Sequence, residues 1–336
     1  MSPATERGSA EPVFSVQGLT VDYGFGTSAV HAVRGVDLEV GRGQVVGLAG
    51  ESGSGKSTLA YAAARLLRPP GRVVSGRVTY HPAGRDPVDV FALEPAALRQ
   101  WRWDKLAIVA QASMNALNPV VTLASQLTDV LKVHRPGMSA SERDDRAASA
   151  LEMVGIPRSR LRSYAHQLSG GMRQRAVIAM ALILEPEVVI MDEPTTALDV
   201  VVQREILAQV TDLSARMSLA VLFITHDLSL LLEIADSIAV MYAGGLIEQS
   251  PAEELYEKTL HPYTQGLLGS FPPLAGPRLP MAGIAGSPPD PRRLPPGCPF
   301  HPRCPEAMAS CREQVPPLID HGGRLVACLA REGVTQ

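Results

Sequence analysis

The chain has few aromatic residues and few cysteines for its length. Phenylalanine, tryptophan and tyrosine make up 4% of the 336 residues, and only four residues are cysteine. A chain of this size buries about 75% of the surface that it exposes when unfolded, so it needs no disulfide framework. A composition of 46% hydrophobic and 19% charged residues excludes wholesale disorder.

An excess of either charge and a long apolar run are also missing. The chain carries 31 basic and 34 acidic residues, a net charge of −3, so we expect no nucleic-acid partner bound through overall positive charge. The apolar stretches at 219–224 and 228–243 are too short, or too interrupted by Glu233 and Asp236, for a membrane span of about 20 residues. The polar residues 1–12 lack the apolar core of a signal peptide, so we expect a cytoplasmic chain.

Short apolar runs alternate with amphipathic stretches up to about residue 270. Runs bounded by glycine or polar residues predict buried strands, and apolar residues spaced by three and four predict helices. The predicted strands lie at 44–49, 188–191 and 219–225, and the predicted helices at 57–67, 143–154 and 202–217. This alternation predicts an α/β fold with a mostly parallel sheet.

Proline changes the character of the chain after Phe271. Fourteen of the 28 prolines fall in the 46 residues from 272 to 317, a density that prevents continuous helix or central strand. We therefore expect a flexible tail at 1–12, a large domain at 13–270 and a small irregular extension, rich in cysteine and proline, at 271–336.

A phosphate-binding pattern follows the predicted strand at 44–49. Residues 50–58 contain G-x-x-x-x-G-K-[ST] and lie between a buried strand and a helix, the context that the motif requires. The backbone N–H groups and the helix N-terminus surround an anion, the lysine reaches the β- and γ-phosphates, and the next hydroxyl binds Mg²⁺. An ordinary glycine-rich turn is the alternative. The predicted ATP ligands here are Gly50, Ser52, Gly53, Ser54, Gly55, Lys56, Ser57 and Thr58, with Ser57 also on Mg²⁺.

A buried strand that ends in two carboxylates is the second feature of a nucleotide site. The apolar run 188–191 leads directly into Asp192 and Glu193. Asp192 would hold Mg²⁺, usually through water, and Glu193 would polarise the attacking water. Because strands ending in Asp-Glu are common, this interpretation depends on the pairing with the phosphate loop.

A second glycine-rich helix start carries a family resemblance. Residues 168–172, Leu-Ser-Gly-Gly-Met, resemble the LSGGQ signature of ABC transporter ATPases, in which a serine and two glycines form an anion nest. Met172 replaces the usual glutamine, as is common in the oligopeptide/dipeptide importer branch. The resemblance implies that the γ-phosphate of ATP held by a second subunit is covered by Ser169, Gly170, Gly171 and Met172.

Other elements of that family occur in the expected order. Tyr23 matches the aromatic residue that stacks on adenine, although an ordinary strand tyrosine is the alternative. Gln111 matches the Q-loop glutamine, which also reaches Mg²⁺, and Asp199 lies in residues 197–199, which match the D-loop at the dimer seam. His226 matches the switch histidine that contacts the γ-phosphate. The implied catalytic set is Lys56, Gln111, Glu193 and His226.

Residues 194–203 and 261–268 resemble the oligopeptide/dipeptide and nickel importer branch in particular. The resemblance covers residues 13–330. It implies an ABC ATPase core with an antiparallel β subdomain, a helical subdomain at about 112–170, and hydrolysis of ATP with Mg²⁺ to power peptide uptake at the cytoplasmic face of the cell membrane. The implied partners are two transmembrane permease subunits, a second ATPase subunit (a copy of this chain or a sister chain) and an extracytoplasmic substrate-binding protein.

All four cysteines are confined to the proline-rich end. Cys298, Cys304, Cys311 and Cys328 are separated by 5, 6 and 16 residues, and proline follows the first two. Four thiolates with Cys-Pro neighbours suit a [4Fe–4S] cluster, and members of the importer branch resemble this chain in carrying cysteines here. Zinc, with a histidine such as His301 or His321 as a replacement ligand, and free thiols are the alternatives.

Two other functions stay open at this point. The same ATPase would serve an importer of nickel or another small solute, and a soluble ABC-type ATPase would use the cysteines as an iron–sulfur redox sensor. A chromosome-structuring ATPase needs a long coiled coil between Q-loop and signature, for which the 58 residues from Gln111 to Ser169 are too few. ABC-type translation factors generally carry two cassettes, whereas this chain has one phosphate loop.

Overall fold

The computed structural model describes residues 11–26, 29–111, 113–196, 198–270 and 283–331. Its strands are β1 Pro12–Tyr23, β2 Val30–Gly41, β3 Val45–Ala49, β4 Gly71–Tyr80, β5 Val88–Asp89, β6 Leu106–Val109, β7 Val188–Asp192, β8 Ala220–Ile224, β9 Ser237–Tyr242, β10 Gly245–Pro251, β11 Ile319–Asp320 and β12 Leu325–Val326. Its α-helices are α1 Lys56–Ala63, α2 Pro95–Asp104, α3 Leu123–His134, α4 Ala140–Met153, α5 Gly170–Leu182, α6 Val200–Met217, α7 Leu228–Ile234, α8 Ala252–Glu257 and α9 Pro262–Leu268.

The chain forms two compact units, and each is assembled from separate stretches of sequence. The first unit comprises the described residues up to Val13, residues 40–45 and residues 92–222; the second comprises 14–39, 46–91 and the described residues from 223 onward. Residues 1–10 of the predicted tail lie outside the described residues, and so do residues 271–282, which begin at the predicted boundary. β1 begins at Pro12. The division into tail, domain and extension stays a prediction.

The first unit contains parallel strands and most of the longer helices. β6 and β7 pair in parallel with Val109 opposite Met191, in the strand order β8-β7-β6. β7 is buried at every residue, as expected for a strand covered on both faces. α4 begins at a capping box in which Ser139 Oγ accepts from the Glu142 N–H and the Glu142 carboxylate accepts from the Ser139 N–H.

The second unit contains an antiparallel sheet and a mixed set of strands. The antiparallel sheet has the order β2-β1-β4-β5, with Phe14 opposite Tyr80. The mixed set has the order β11-β12-β10-β9-β3, in which β3 and β9 are parallel and β9 and β10 antiparallel. Parallel strands, connecting helices and a separate antiparallel sheet confirm the predicted α/β class with an antiparallel β subdomain.

The described part of the C-terminal extension, residues 283–331, has little regular structure. It contains short 3₁₀ turns and the two-residue strands β11 and β12, as the proline density predicts. Phe300 is 2% exposed, and its ring centroid lies 5.3 Å from those of Tyr242 in β9 and Tyr263 in α9. Edge-on aromatic packing of this kind stabilises the extension against the rest of its unit.

Candidate functional site

The predicted phosphate-binding loop joins β3 to α1, and its residues belong to the second unit. β3, which is buried at all five residues, leads directly into the loop, and α1 begins at Lys56. Gly50 has φ 144° and Gly55 has φ 103°. A Cβ atom would lie 2.3 Å from the Met241 carbonyl oxygen at Gly50 and 2.3 Å from the Ala32 carbonyl oxygen at Gly55. Both positions therefore exclude any side chain, and the backbone of the loop is closely confined.

Lys56 lies inside this loop and is 7% exposed. Its Nζ donates to the Gly50 carbonyl at 2.7 Å, to the Glu51 carbonyl at 3.0 Å and to Ser54 Oγ at 3.4 Å. The ammonium group is thus held at the N-terminus of α1, where the helix dipole and the backbone N–H groups also favour an anion. Ser57 is half-buried on the first turn of α1.

Tyr23 ends β1 beside the same helix. Its hydroxyl lies 3.4 Å from Thr58 Oγ1, and a Cβ atom on Gly71 would come within 2.9 Å of the Tyr23 ring. The ring is therefore packed at the edge of the phosphate loop. His226, also of the second unit, is exposed between the end of β8 and α7, where Asp227 caps the helix by accepting from the Ser229 N–H at 2.9 Å.

The carboxylate pair and the predicted Q-loop glutamine, Gln111, belong to the first unit. Val109 and Met191 are opposite each other, so Gln111 and Glu193, each two residues further on, emerge at the same sheet edge. Gln111 Nε2 donates to Glu193 Oε2 at 3.2 Å, and Thr196 Oγ1 donates to the same oxygen at 3.0 Å. Asp192, at the end of β7, is fully buried. Thr196 is a residue that the sequence reasoning missed.

The predicted signature and D-loop residues lie at two adjacent helix starts, also in the first unit. Ser169 caps α5, and its Oγ accepts from the Met172 N–H at 3.2 Å. Asp199 caps α6 by accepting from the Val202 N–H at 3.0 Å, whereas Ala197 lies outside the described residues. A Cβ atom on Gly171 would come within 2.5 Å of Val202 Cγ1, so the two helix starts pack without room for a side chain there.

The four cysteines share one region of the extension. Cys311 is buried, the other three are half-buried, and the Cys298 N–H donates to the Cys311 carbonyl at 2.9 Å. Burial raises the pKa of the Cys298, Cys304 and Cys328 thiols, to about 11 for Cys304, and neighbouring cysteines raise each pKa further. Among the described residues, which include all four, no three His, Cys, Asp or Glu side chains form a group able to hold a metal ion.

Sequence comparisons identify the family. A profile described as ABC transporter matches residues 33–196, and one described as the oligopeptide/dipeptide transporter C-terminal region matches residues 247–311. A putative peptide import ATP-binding protein of Brucella melitensis is 41% identical over 333 residues, which cover 95% of this chain and 98% of that protein. The chain belongs to the ATP-binding subunits of ABC transporters, in the oligopeptide/dipeptide branch. As such it is the ATP-hydrolysing subunit of a transporter.

Further relatives agree with this ABC cassette assignment. The oligopeptide transport ATP-binding protein AppD of Bacillus subtilis is 40% identical, over 90% of this chain and 92% of its own length. The cassette MJ0796, solved as a dimer in a post-hydrolysis state with ADP and phosphate, superposes with a TM-score of 0.62 at 28% identity, over 71% of this chain and 98% of that chain. CbiO1 of Clostridium perfringens, part of the cbiONQ ABC transporter complex, has a TM-score of 0.63 at 26% identity, over 74% and 92%. The predicted resemblance and ABC ATPase core are confirmed.

None of the described helices of the cassette is both long and apolar enough to span a bilayer. Besides Thr196, the sequence reasoning missed Glu51 inside the predicted phosphate loop, Tyr263 in α9 and Arg303 in the extension, which form the contacts described below. The only signal for them was that Tyr263 belongs to the stretch 261–268 and that Arg303 precedes Cys304.

Proposed function

We propose that the chain hydrolyses ATP to power the uptake of peptides through an ABC importer. The observation that carries the proposal is the phosphate-binding loop, in which Lys56 lies at the start of α1 between two loop carbonyls and Gly50 and Gly55 have no room for a side chain. Relatives at 40–41% identity bear the names peptide import and oligopeptide transport ATP-binding protein, which supports peptides as the cargo. Their names do not favour the nickel or redox-sensor alternatives.

The predicted phosphate loop and its neighbours would bind most of the nucleotide. Tyr23 would stack on the adenine, and the N–H groups of residues 50–58 with the Lys56 ammonium would hold the phosphates. Ser57 would contribute its hydroxyl to Mg²⁺, and His226 would contact the γ-phosphate. Mg²⁺ prefers oxygen ligands, so the Ser57 hydroxyl and the Asp192 carboxylate fit this ion. When bound, the ion would neutralise charge on the phosphates.

Glu193 and its neighbours are proposed to carry the hydrolytic chemistry. Glu193 would accept a hydrogen bond from the attacking water and orient it, with its carboxylate held by Gln111 and Thr196. Asp192 and Gln111 would provide further oxygen donors toward Mg²⁺. The Ser169–Met172 nest and Asp199 would act in trans on ATP held by a second cassette, in keeping with the dimeric structure of MJ0796 with ADP and phosphate.

Membership of the oligopeptide/dipeptide branch of ABC transporters supports a proposal for the partners. It would act at the cytoplasmic face of the cell membrane with two permease subunits, a second ATPase subunit (a copy or a sister chain) and an extracytoplasmic substrate-binding protein. Peptide selection would then rest with those partners, and the cassette would supply the conformational work.

The cysteine set is proposed to hold a [4Fe–4S] cluster with a structural role. The support is the donor set: four soft thiols, one buried and three half-buried, in a region that is too rich in proline to form its own core. As described, these side chains are not gathered into a metal-binding group, so the cluster would have to draw them together. The cluster would organise the extension and take no part in ATP hydrolysis. Anaerobically purified protein should carry about four iron atoms per chain, and Cys304→Ser should lose them. Stoichiometric zinc without iron, or reduced thiols without metal, would contradict the cluster.

Uptake of a labelled peptide tests the main proposal. Cells that lack the chain are complemented with the unchanged chain, with Lys56→Ala or with Lys105→Ala. Lys56→Ala should abolish uptake and weaken ATP binding roughly tenfold to a hundredfold, because it removes a charge-assisted phosphate contact. Lys105→Ala removes the same charge from a half-exposed lysine that pairs with Asp104 and Glu187, and uptake should persist. Uptake that is independent of Lys56, or that responds to Ni²⁺ and not to peptide, would contradict the proposal.

A further inference from the structure

The second residue of the phosphate-binding loop is held by the C-terminal extension. Arg303 donates two parallel hydrogen bonds to the Glu51 carboxylate, from Nη1 to Oε2 at 2.7 Å and from Nη2 to Oε1 at 3.0 Å. The Arg303 side chain is 6% exposed and the Glu51 side chain 26% exposed. A bidentate and largely buried pair fixes both partners in position and direction.

The guanidinium is itself fixed from several sides. Arg303 Nε donates to the Ala285 carbonyl at 3.0 Å, and Nη1 lies 3.4 Å from the Tyr242 hydroxyl. The Arg303 Cζ atom also lies 5.9 Å from the centroid of the Tyr242 ring, a cation–π distance. Arg303 therefore has little freedom to adjust, and a displacement of the extension would be passed on to Glu51.

A second contact holds Glu51 through its backbone. The Glu51 N–H donates to the hydroxyl of Tyr263 at 2.9 Å, and Tyr263 is fully buried in α9. Tyr263 belongs to the same aromatic cluster as Phe300 of the extension. Glu51 is thus bound at its side chain and at its backbone by residues that lie more than 200 positions later in the chain.

Glu51 connects these contacts to the lysine of the loop. Its carbonyl oxygen accepts from Lys56 Nζ at 3.0 Å, beside the 2.7 Å bond from the same ammonium to the Gly50 carbonyl. Phosphate binding depends on where this ammonium and the loop N–H groups are placed. Arg303 is therefore linked to Lys56 through a single residue.

We propose that Arg303 is a positioning residue for the phosphate-binding loop and that it acts through Glu51, so that the extension contributes to ATP affinity. This inference rests on the proposed function, because it concerns the same ATP site. The alternative is that Arg303 only anchors the extension and leaves the loop unaffected. The two differ in whether nucleotide affinity, and not stability alone, depends on the pair.

Equilibrium ATP binding by the full-length chain separates the two. The variants are Arg303→Met, Arg303→Lys, Glu51→Gln and the combination of Arg303→Met with Glu51→Gln. Arg303→Met and Glu51→Gln should each weaken ATP binding about tenfold, and Arg303→Lys should weaken it less, since lysine keeps the charge but loses the fork. If Arg303 acts through Glu51, the combined variant should bind ATP no more weakly than whichever of the two single variants has the lower ATP affinity.

Arg331→Met is the matched control. Arg331 holds the same extension, with Nε donating to the Leu260 carbonyl at 3.0 Å and Nη2 paired with Glu306 at 2.9 Å, and neither partner belongs to the phosphate loop. The Arg331→Met substitution should lower the Tm of the chain without changing its affinity for ATP. Arg303→Lys and Glu51→Gln decide the outcome if Arg303→Met does not fold.

Three results would overturn the inference. The first is unchanged ATP affinity in Glu51→Gln together with unchanged affinity in either Arg303→Lys or Arg303→Met. The second is an equal loss of affinity in Arg331→Met, and the third is additive losses in the combined variant. A different pattern marks failure of the proposed function itself. In that case the unchanged chain does not bind ATP, or Lys56→Ala binds it as well as the unchanged chain does.

Discussion

Gln111 donates a hydrogen bond from Nε2 to Oε2 of Glu193 over 3.2 Å. The contact exists because β6 and β7 are parallel and in register, so that residues two positions beyond Val109 and Met191 reach the same edge of the sheet. The predicted Q-loop glutamine and the carboxylate proposed to orient the attacking water are thereby joined directly. Whatever moves Gln111 also changes the hydrogen bonding of Glu193.

Replacing Glu193 with glutamine should separate ATP binding from hydrolysis. The amide keeps the shape but cannot accept a proton or orient water as a carboxylate does, so turnover should fall about 10²- to 10⁴-fold while ATP still binds. Turnover in the assembled transporter and equilibrium ATP binding are the measurements. Glu185→Gln, which removes the same charge from an exposed partner of Arg146, is the control and should keep its activity. Normal turnover in Glu193→Gln would exclude the assigned role.

Thr196→Val should slow hydrolysis without weakening ATP binding. The substitution keeps the side-chain shape and removes the 3.0 Å hydrogen bond to Glu193, so the carboxylate is less well oriented and turnover should fall about tenfold. Steady-state kcat and KM for ATP would be compared with those of Thr211→Val. That control removes a hydroxyl that donates to the Leu207 carbonyl within α6. Equal effects of the two substitutions would show that the Thr196 hydroxyl has no special part.

Ser169→Ala and Ser139→Ala form a matched pair. Each removes an N-cap whose Oγ accepts from a backbone N–H at 3.2 Å, so each should lower the free energy of unfolding by about 1 kcal/mol in urea titrations. Only Ser169→Ala should also reduce ATP hydrolysis by the assembled cassette pair, because its hydroxyl belongs to the proposed trans nest. If both variants retain full hydrolysis, Ser169 is a helix cap and nothing more.

His261 should make the stability of the cassette depend on pH. Burial, and secondarily the positive charge of Arg331, lowers the pKa of His261 to about 4 from its ordinary 6.5. Between these values the unfolded chain binds a proton at this histidine and the folded chain does not, so stability rises with pH. The folded state should lose about 3 kcal/mol from this group as pH falls from 6.5 to 4.

His261→Asn isolates that contribution. The asparagine oxygen can accept from the Tyr263 N–H, as His261 Nδ1 does at 3.0 Å, and it does not titrate. Urea unfolding at pH 7 and pH 4.5 should show a smaller loss in the variant than in the unchanged chain. Burial raises the pKa of nearby Glu248, which acts in the opposite direction, but Glu248 is present in both chains and cancels in the difference. Identical losses would contradict the assignment to His261.

The sequence patterns predicted those parts of the site that depend on neighbours in the chain. The strand before Asp192 and the glycine loop before Lys56 carry local signals, and both are found where expected. The helix predicted at 57–67 is wrong at its end: α1 stops at Ala63, and Arg65 adopts a left-handed φ of 54°, which no breaker residue announces. The Arg303–Glu51 pair has no local signal at all, since the partners are 252 positions apart.

The same separation has a consequence for synthesis on the ribosome. At about 5 to 20 residues per second, roughly 13 to 50 s pass between the emergence of Glu51 and that of Arg303. Tyr263 lies 212 positions after Glu51, so for most of this interval the glycine loop exists without either of the two residues that hold its second position. The glycine loop, although encoded early, therefore gains its full set of contacts only when the extension has been made, and a chain that ends before the extension keeps the Tyr263 contact but lacks the Arg303 pair.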